Sequence, residues 1–272
     1  MKFSKRFLTI ALYSLGVTGS IYISITRLVR EGNSSVFVIF SLLALFIFVS
    51  EVLIDYVYKN KRVEINFDVN DEVNEASEIL NKLLLPLLLF ISVFGYTYFN
   101  FSGRFVLIIY GIIYFAFLLL FLNIKAFFEL DVKTERSTNI VYDLIKFIIF
   151  YCFVDTIINM VNAGSISHIV YVILYLALFV ILSYLFLIRY VKDFAVIKRY
   201  LWIQVLAAVV SLLIIFLIGN YSPILLSLSS FFVFYSSLAI IHHIVDNTLS
   251  KWVLFEYILV LIMALSVLIG IG

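Results

Sequence analysis

This chain holds a single cysteine and two prolines, and only 13% of its residues are charged. The one cysteine, Cys152, lies inside an apolar run, which excludes a disulfide framework and a cysteine metal site and leaves packing as its use. Both prolines, Pro86 and Pro223, read as lying near helix starts, where a missing N–H costs least. Without Gly- or Pro-broken helices the chain lacks the mark of the common secondary-transporter designs, and its sparse intramembrane charge argues against a proton pump. A formal net charge of +2 with no long basic tail excludes a nucleic-acid partner. Nor is there a Gly-rich phosphate loop, a GxSxG elbow or an HExxH helix.

What remains is apolar. Of 272 residues 64% are hydrophobic, and the mean hydropathy is +1.16. A hydrocarbon core of roughly 30 Å needs about 20 apolar residues per span, and a spanning backbone must satisfy its own hydrogen bonds, so each long run predicts a helix. The expectation is an all-α integral membrane protein, one polytopic domain over 1–272, with spans near 7–29, 36–58, 82–100, 105–128, 140–161, 166–188, 200–218, 223–245 and 252–271. The basic opening "MKFSKRF" looks like that of a signal peptide, but the apolar stretch runs on too far and predicts a retained first span.

Short breaks such as "EGNSS", "FNFSG", "NAGS" and "GNYS" turn the chain sharply, so successive helices are antiparallel hairpins, with room for a central cavity among them. An N-terminus inside puts 16 of the 19 Lys and Arg on the cytoplasmic side and leaves only Arg27, Arg30 and Arg104 outside. The positive-inside rule therefore predicts N-in, C-out, in a prokaryotic plasma membrane with lipid as the surrounding partner.

Ionisable groups at membrane depth invite a functional reading. Asp155 is the deepest acid, with Asn159 and Asn162 along one stripe of the fifth helix, facing either a pocket or a neighbouring helix. Glu51 and Asp55 share a face of the second helix. Asp143 and Lys146 are spaced to pair with each other, and Glu256 to bond across helices. His242 and Asp246 lie four apart beside His243, a spacing for metal ligands or for a hydrogen-bonded pair, with no third ligand apparent. The aromatic residues, 18% of the chain, suit lipid-facing and interfacial positions first and a cation-stabilising cavity second.

Two polar loops complete the inventory. "FDVNDEVNEASE", residues 67–78, spaces Asp68, Asp71 and Glu75 so that a helical segment turns their carboxylates to one side. After the sixth helix, "RYVKDFAVIKRY" presents Lys192 and Asp193. Carboxylates from two loops at one membrane face can hold Mg²⁺ against a diphosphate; a solvated amphipathic connector is the other reading of 67–78.

With these motifs the chain resembles the UbiA superfamily of intramembrane prenyltransferases, whose nine helices run N-in to C-out. That family carries an N-D-x-x-D-x-x-x-D motif after the second helix and a K-D-x-x-D pattern after the sixth. Here Phe67 stands at the Asn position, Glu75 at the last acid of the first motif, and Val196 at the last acid of the second. The resemblance implies helices around a lipid-open cavity, Mg²⁺ held by Asp68, Asp71, Glu75 and Asp193, and prenyl diphosphate contacts from Lys192 and Arg199. Its reaction would move the prenyl group to a small or lipid acceptor, with Asp68, Asp71, Asp193 and Lys192 as the catalytic set. The competing expectation is a transporter, channel, lipid-binding or scaffold protein without covalent chemistry, using Asp155, Asn159 and Gln204 along an internal path.

Overall fold

The computed structural model describes residues 2–63, 72–101, 106–128, 135–191, 193–217 and 222–271. Of these, 2–6, 51–63, 72–83, 106–107, 123–128, 135–140, 189, 217 and 263–271 are described by backbone alone. Among the described residues the secondary structure is nine α-helices and no strand. They are α1 (Lys2–Glu31), α2 (Ser34–Val63), α3 (Glu72–Phe99), α4 (Val106–Phe128), α5 (Glu135–Asn162), α6 (His168–Tyr190), α7 (Phe194–Leu217), α8 (Pro223–Val245) and α9 (Lys251–Ile271).

Within them Phe7–Glu31, Val141–Asn162, His168–Ile188, Phe194–Phe216 and Pro223–Val245 are long and apolar enough to cross a membrane. Shorter apolar stretches occur at Ser34–Ser50, Leu84–Phe99 and Ile108–Leu122. Large apolar side chains such as Ile169, Leu206, Leu213, Phe255 and Ile262 are exposed, which water would penalise and lipid does not.

Several helices outrun their apolar runs. α3 begins at Glu72, ten residues before the expected start, so the second half of "FDVNDEVNEASE" is helical backbone while 67–71 lie outside the described residues. Pro86 consequently lies inside α3, not at its start, and has no N–H to offer the Lys82 carbonyl one turn earlier. α7 likewise begins at Phe194 rather than near 200. The cause is Asp193, whose carboxylate Oδ1 accepts from the Ala195 N–H at 2.8 Å and whose carbonyl accepts from Ile197 N at 3.0 Å, an N-cap.

The helix ends are closed by local chemistry. At the end of α5, Gly164 (φ 69°) takes the left-handed conformation, with Ser165 N bonded to the Met160 carbonyl and Gly164 N to the Val161 carbonyl. α8 ends the same way on Asn247 (φ 54°), with Thr248 N on the His243 carbonyl and Asn247 N on the Ile244 carbonyl. Ser167, Ser222 and Ser250 cap the starts of α6, α8 and α9.

The chain forms two compact units, residues 1–145 and 146–272, divided within α5. In the first, α1 packs on α2, α3 and α4. Ile10, Val17, Ile21 and Ile25 recur at helical spacing along its buried stripe, and Phe48 of α2 meets Phe90 of α3 and Phe117 and Phe121 of α4 at centroid distances of 5.4, 6.2 and 6.1 Å. Ser14 and Ser24 return their hydroxyls to the Ile10 and Ile21 carbonyls, so they add little bulk and leave no unpaired hydroxyl proton.

In the second unit α6 packs on α7, and α8 on α6, α7 and α9. The last part of α5 joins through rings: Phe150 stacks on Phe234 of α8 at 4.2 Å and meets Phe179 of α6 edge-on at 5.5 Å, while Phe179 and Phe234 meet at 4.9 Å. All three are fully buried. Trp202 on α7 and Trp252 on α9 stand outward, 66% and 78% exposed.

Candidate functional site

The second unit carries three polar centres around that aromatic core. The first joins α5 and α8. Asp155 is fully buried two turns before the end of α5, about 10 Å from that end at 1.5 Å per residue. Asn159, one turn on, donates through Nδ2 to carboxylate Oδ2 at 3.0 Å and lies 2.9 Å from the Asp155 carbonyl. From the first turns of α8, Ser227 Oγ lies 3.2 Å from Oδ1 of Asp155 and 2.7 Å from the Pro223 carbonyl. Its single proton serves one of these at a time. A carboxylate, a hydroxyl and a peptide carbonyl thus converge, an oxygen-rich point at membrane depth.

The second centre joins α6, α7 and α8. Fully buried Gln204 accepts through Oε1 from Ser237 Oγ at 2.9 Å and from Ser183 Oγ at 3.5 Å. Nearby on the same helices, Tyr175 of α6 donates to Ser211 of α7 at 2.7 Å.

The third lies at the opposite end of the unit from Asp155. Lys146 is fully buried, with its ammonium 5.3 Å from the Phe186 ring centroid, a cation–π contact. The His242 ring meets Phe186 at 6.0 Å and Tyr190 at 4.8 Å, and its Nδ1 lies 3.3 Å from Asp246 Oδ2. His243 turns away, with Nδ1 at 2.8 Å from Thr248 and Nε2 at 3.5 Å from the Tyr257 hydroxyl. The two histidines therefore do not converge on one ligand.

Asp155 and Asn159 are brought together as their spacing predicts, whereas Asn162 is exposed in the closing turn. Gln204 forms its own centre on α7, met from α8 by Ser237 rather than by Ser227. Lys146, expected near a helix start, instead lies fully buried, about three turns into α5, which begins at Glu135, five residues before the expected start. Glu256, expected to bond across helices, stands on an exposed face of α9. Cys152 packs in the interior. Asp193 is exposed and caps α7, and Arg199 is exposed on that helix rather than in a loop. Asp68, Asp71 and Lys192, and the side chains of Glu51, Asp55 and Glu75, lie outside the described residues.

Among the described residues no three His, Cys, Asp or Glu side chains gather as a metal-ligand set. Of the four carboxylates expected to hold Mg²⁺ only that of Asp193 is described, with its Oδ1 engaged by the start of α7; Asp68, Asp71 and the side chain of Glu75 lie outside the described residues.

Ser227, Ser183 and Ser237 escaped the sequence reading. The available signal was the "SLSSFFVFYSS" run of α8, where Ser227, Ser230 and Ser237 recur at intervals of three and seven, one helical face. These features define a multi-pass helical membrane protein with buried polar centres in its second unit. No protein-family model matches the chain, and neither a curated protein nor a solved structure matches it.

Proposed function

We propose that this protein crosses a prokaryotic plasma membrane nine times, N-terminus in the cytoplasm and C-terminus outside, and binds a small cationic solute at Asp155 as a transporter or channel subunit, without covalent chemistry. The orientation rests on the skew of Lys and Arg; Lys146, being buried, leaves that tally, and fifteen remain on the inner side. Asp155 carries the functional reading. An acid at the centre of a span costs about 2.5–3.5 kcal/mol on insertion scales, and Asp155, about 10 Å inside the end of α5, bears part of that cost, so its presence calls for a use. The oxygens of Asp155, Ser227 and Pro223 suit a cation.

Purified protein in lipid nanodiscs should gain thermal stability from one of Na⁺, K⁺ or methylammonium, and proteoliposomes should take up that same cation. Asp155→Asn should lose both responses while staying folded. A wild type indifferent to all three cations, or an Asp155→Asn protein that responds as wild type does, would refute the reading.

A second reading, a divergent UbiA-like prenyltransferase, is supported by the start of α7, where Asp193, Lys198 and Arg199 are all exposed. It predicts Mg²⁺-dependent binding of farnesyl diphosphate, lost in Asp193→Asn and weakened when Asp68, Asp71 and Glu75 are neutralised together. If wild type binds no farnesyl diphosphate in Mg²⁺, this reading is wrong.

A further inference from the structure

The Gln204 centre is unfinished. Its Oε1 faces the two serine hydroxyls, of which Ser237 lies equally close, at 2.9 Å, to the Phe234 carbonyl, while Nε2 is fully buried and has no hydrogen-bond partner. Exchanging the amide oxygen and nitrogen moves the deficit without removing it, because the terminus turned away from the serines is then a carbonyl without a donor. A buried amide left unsatisfied costs more than one made hydrogen bond returns, and no water in the hydrocarbon relieves it. The Ser183 contact, at 3.5 Å, is at the long limit of a hydrogen bond, so that hydroxyl can turn toward a better partner.

We propose that Gln204 anchors an intramembrane site for a small neutral hydroxyl group, carried by water or by a lipophilic alcohol and held between α6, α7 and α8. A hydroxyl accepts from Nε2 and, turned over, donates to a carbonyl, so it satisfies either orientation of the amide. A carbonyl guest satisfies only one. An ion is disfavoured, since neither Ser183 nor Ser237 supplies the opposite charge. The site is independent of the reading of Asp155, which lies on another helix.

The test uses the full chain in lipid nanodiscs and has two arms. For water, brief radiolytic hydroxyl labelling is read on Phe179 and Phe234, which precede Ser183 and Ser237 by about one turn and are as buried as Phe117 and Phe121 of the first unit. Water at Gln204 should oxidise Phe179 or Phe234 about threefold or more above Phe117 and Phe121, since bound water is the local radical source. Gln204→Met and Gln204→Leu should abolish the excess. For an alcohol, 1-octanol should raise the melting temperature saturably in wild type, octane should not, and Gln204→Met should lose the response. Either arm, so behaving, supports the site and identifies the source of the hydroxyl. Labelling of Phe179 and Phe234 no greater than that of Phe117 and Phe121, with no saturable 1-octanol response, overturns it, and that result needs only the wild-type protein.

Discussion

Whether Asp155 binds a solute or clasps two helices can be decided by a double-mutant cycle with Ser227. Hydrogen bonds between membrane helices average about 0.6 kcal/mol and reach about 1.7 kcal/mol, while bonds to charged groups run to about 1.5–3 kcal/mol. The geometry favours the low end here. Ser227 has one proton, and the Pro223 carbonyl at 2.7 Å competes for it with Asp155 Oδ1 at 3.2 Å. We therefore expect a coupling of about 0.5 kcal/mol between Asp155→Ala and Ser227→Ala.

Asp155→Ala alone also removes an acid with an insertion cost of its own, which offsets the lost bonds, so with the carboxylate free to serve a solute the variant should lie within about 1 kcal/mol of wild type. Reversible SDS unfolding in bicelles, followed by tryptophan emission, measures all four corners of the cycle. A coupling of about 2 kcal/mol or more, together with an Asp155→Ala protein destabilised by a similar amount, would make Asp155 a clasp and remove the ground for solute binding.

Other outcomes follow from packing, backbone and charge. Phe234→Ala should destabilise the second unit by about 2–3 kcal/mol, because lipid supplies no transfer term and the loss is the cavity plus the ring contacts with Phe150 and Phe179. Phe255→Ala, on the exposed face of α9, should stay within about 0.5 kcal/mol in the same SDS assay, and equal costs at the two sites would contradict the lipid-facing assignment of α9. Asn247→Val should cost about 1–2 kcal/mol, because φ of 54° crowds a β-branched side chain, while Asn247→Gly should be near neutral by thermal denaturation. A protease added outside intact cells should remove a tag fused after Gly272 and spare one placed before Met1; the reverse pattern would invert the proposed orientation.

The apolar runs made the helices legible but not their ends. Hydropathy sees the part of a helix that lies in hydrocarbon, whereas α3 extends back into the polar run from Glu72, and α7 back past Lys198 and Arg199 to its cap, where propagating an existing helix costs little. Asp193 shows how one residue supports two readings: Asp followed by an apolar run is an N-cap signature as much as half of a metal motif, and the cap is what the backbone takes up. Half of the Asp155 centre was legible, because Asn159 lies four residues away on the same helix. Ser227 was not, since 72 residues separate it from Asp155 and only the packing of α8 against α5 brings them together. The burial of Lys146 was hidden for the same reason: charge marks a residue as interfacial until a neighbouring ring, here Phe186, gives its ammonium somewhere to rest.

The chain has only two tryptophans, and both stand on outward faces of the second unit. Its intrinsic fluorescence is therefore a report from the lipid around α7 and α9. Brominated acyl chains should quench it strongly, and the bromine position that quenches best marks the depth of each helix. The same emission is blind to the first unit, which holds no indole at all. A tryptophan-monitored melt could record a sharp transition while α1 to α4 remained folded, or miss their collapse altogether; a Tyr110→Trp reporter would give that half of the molecule its own signal.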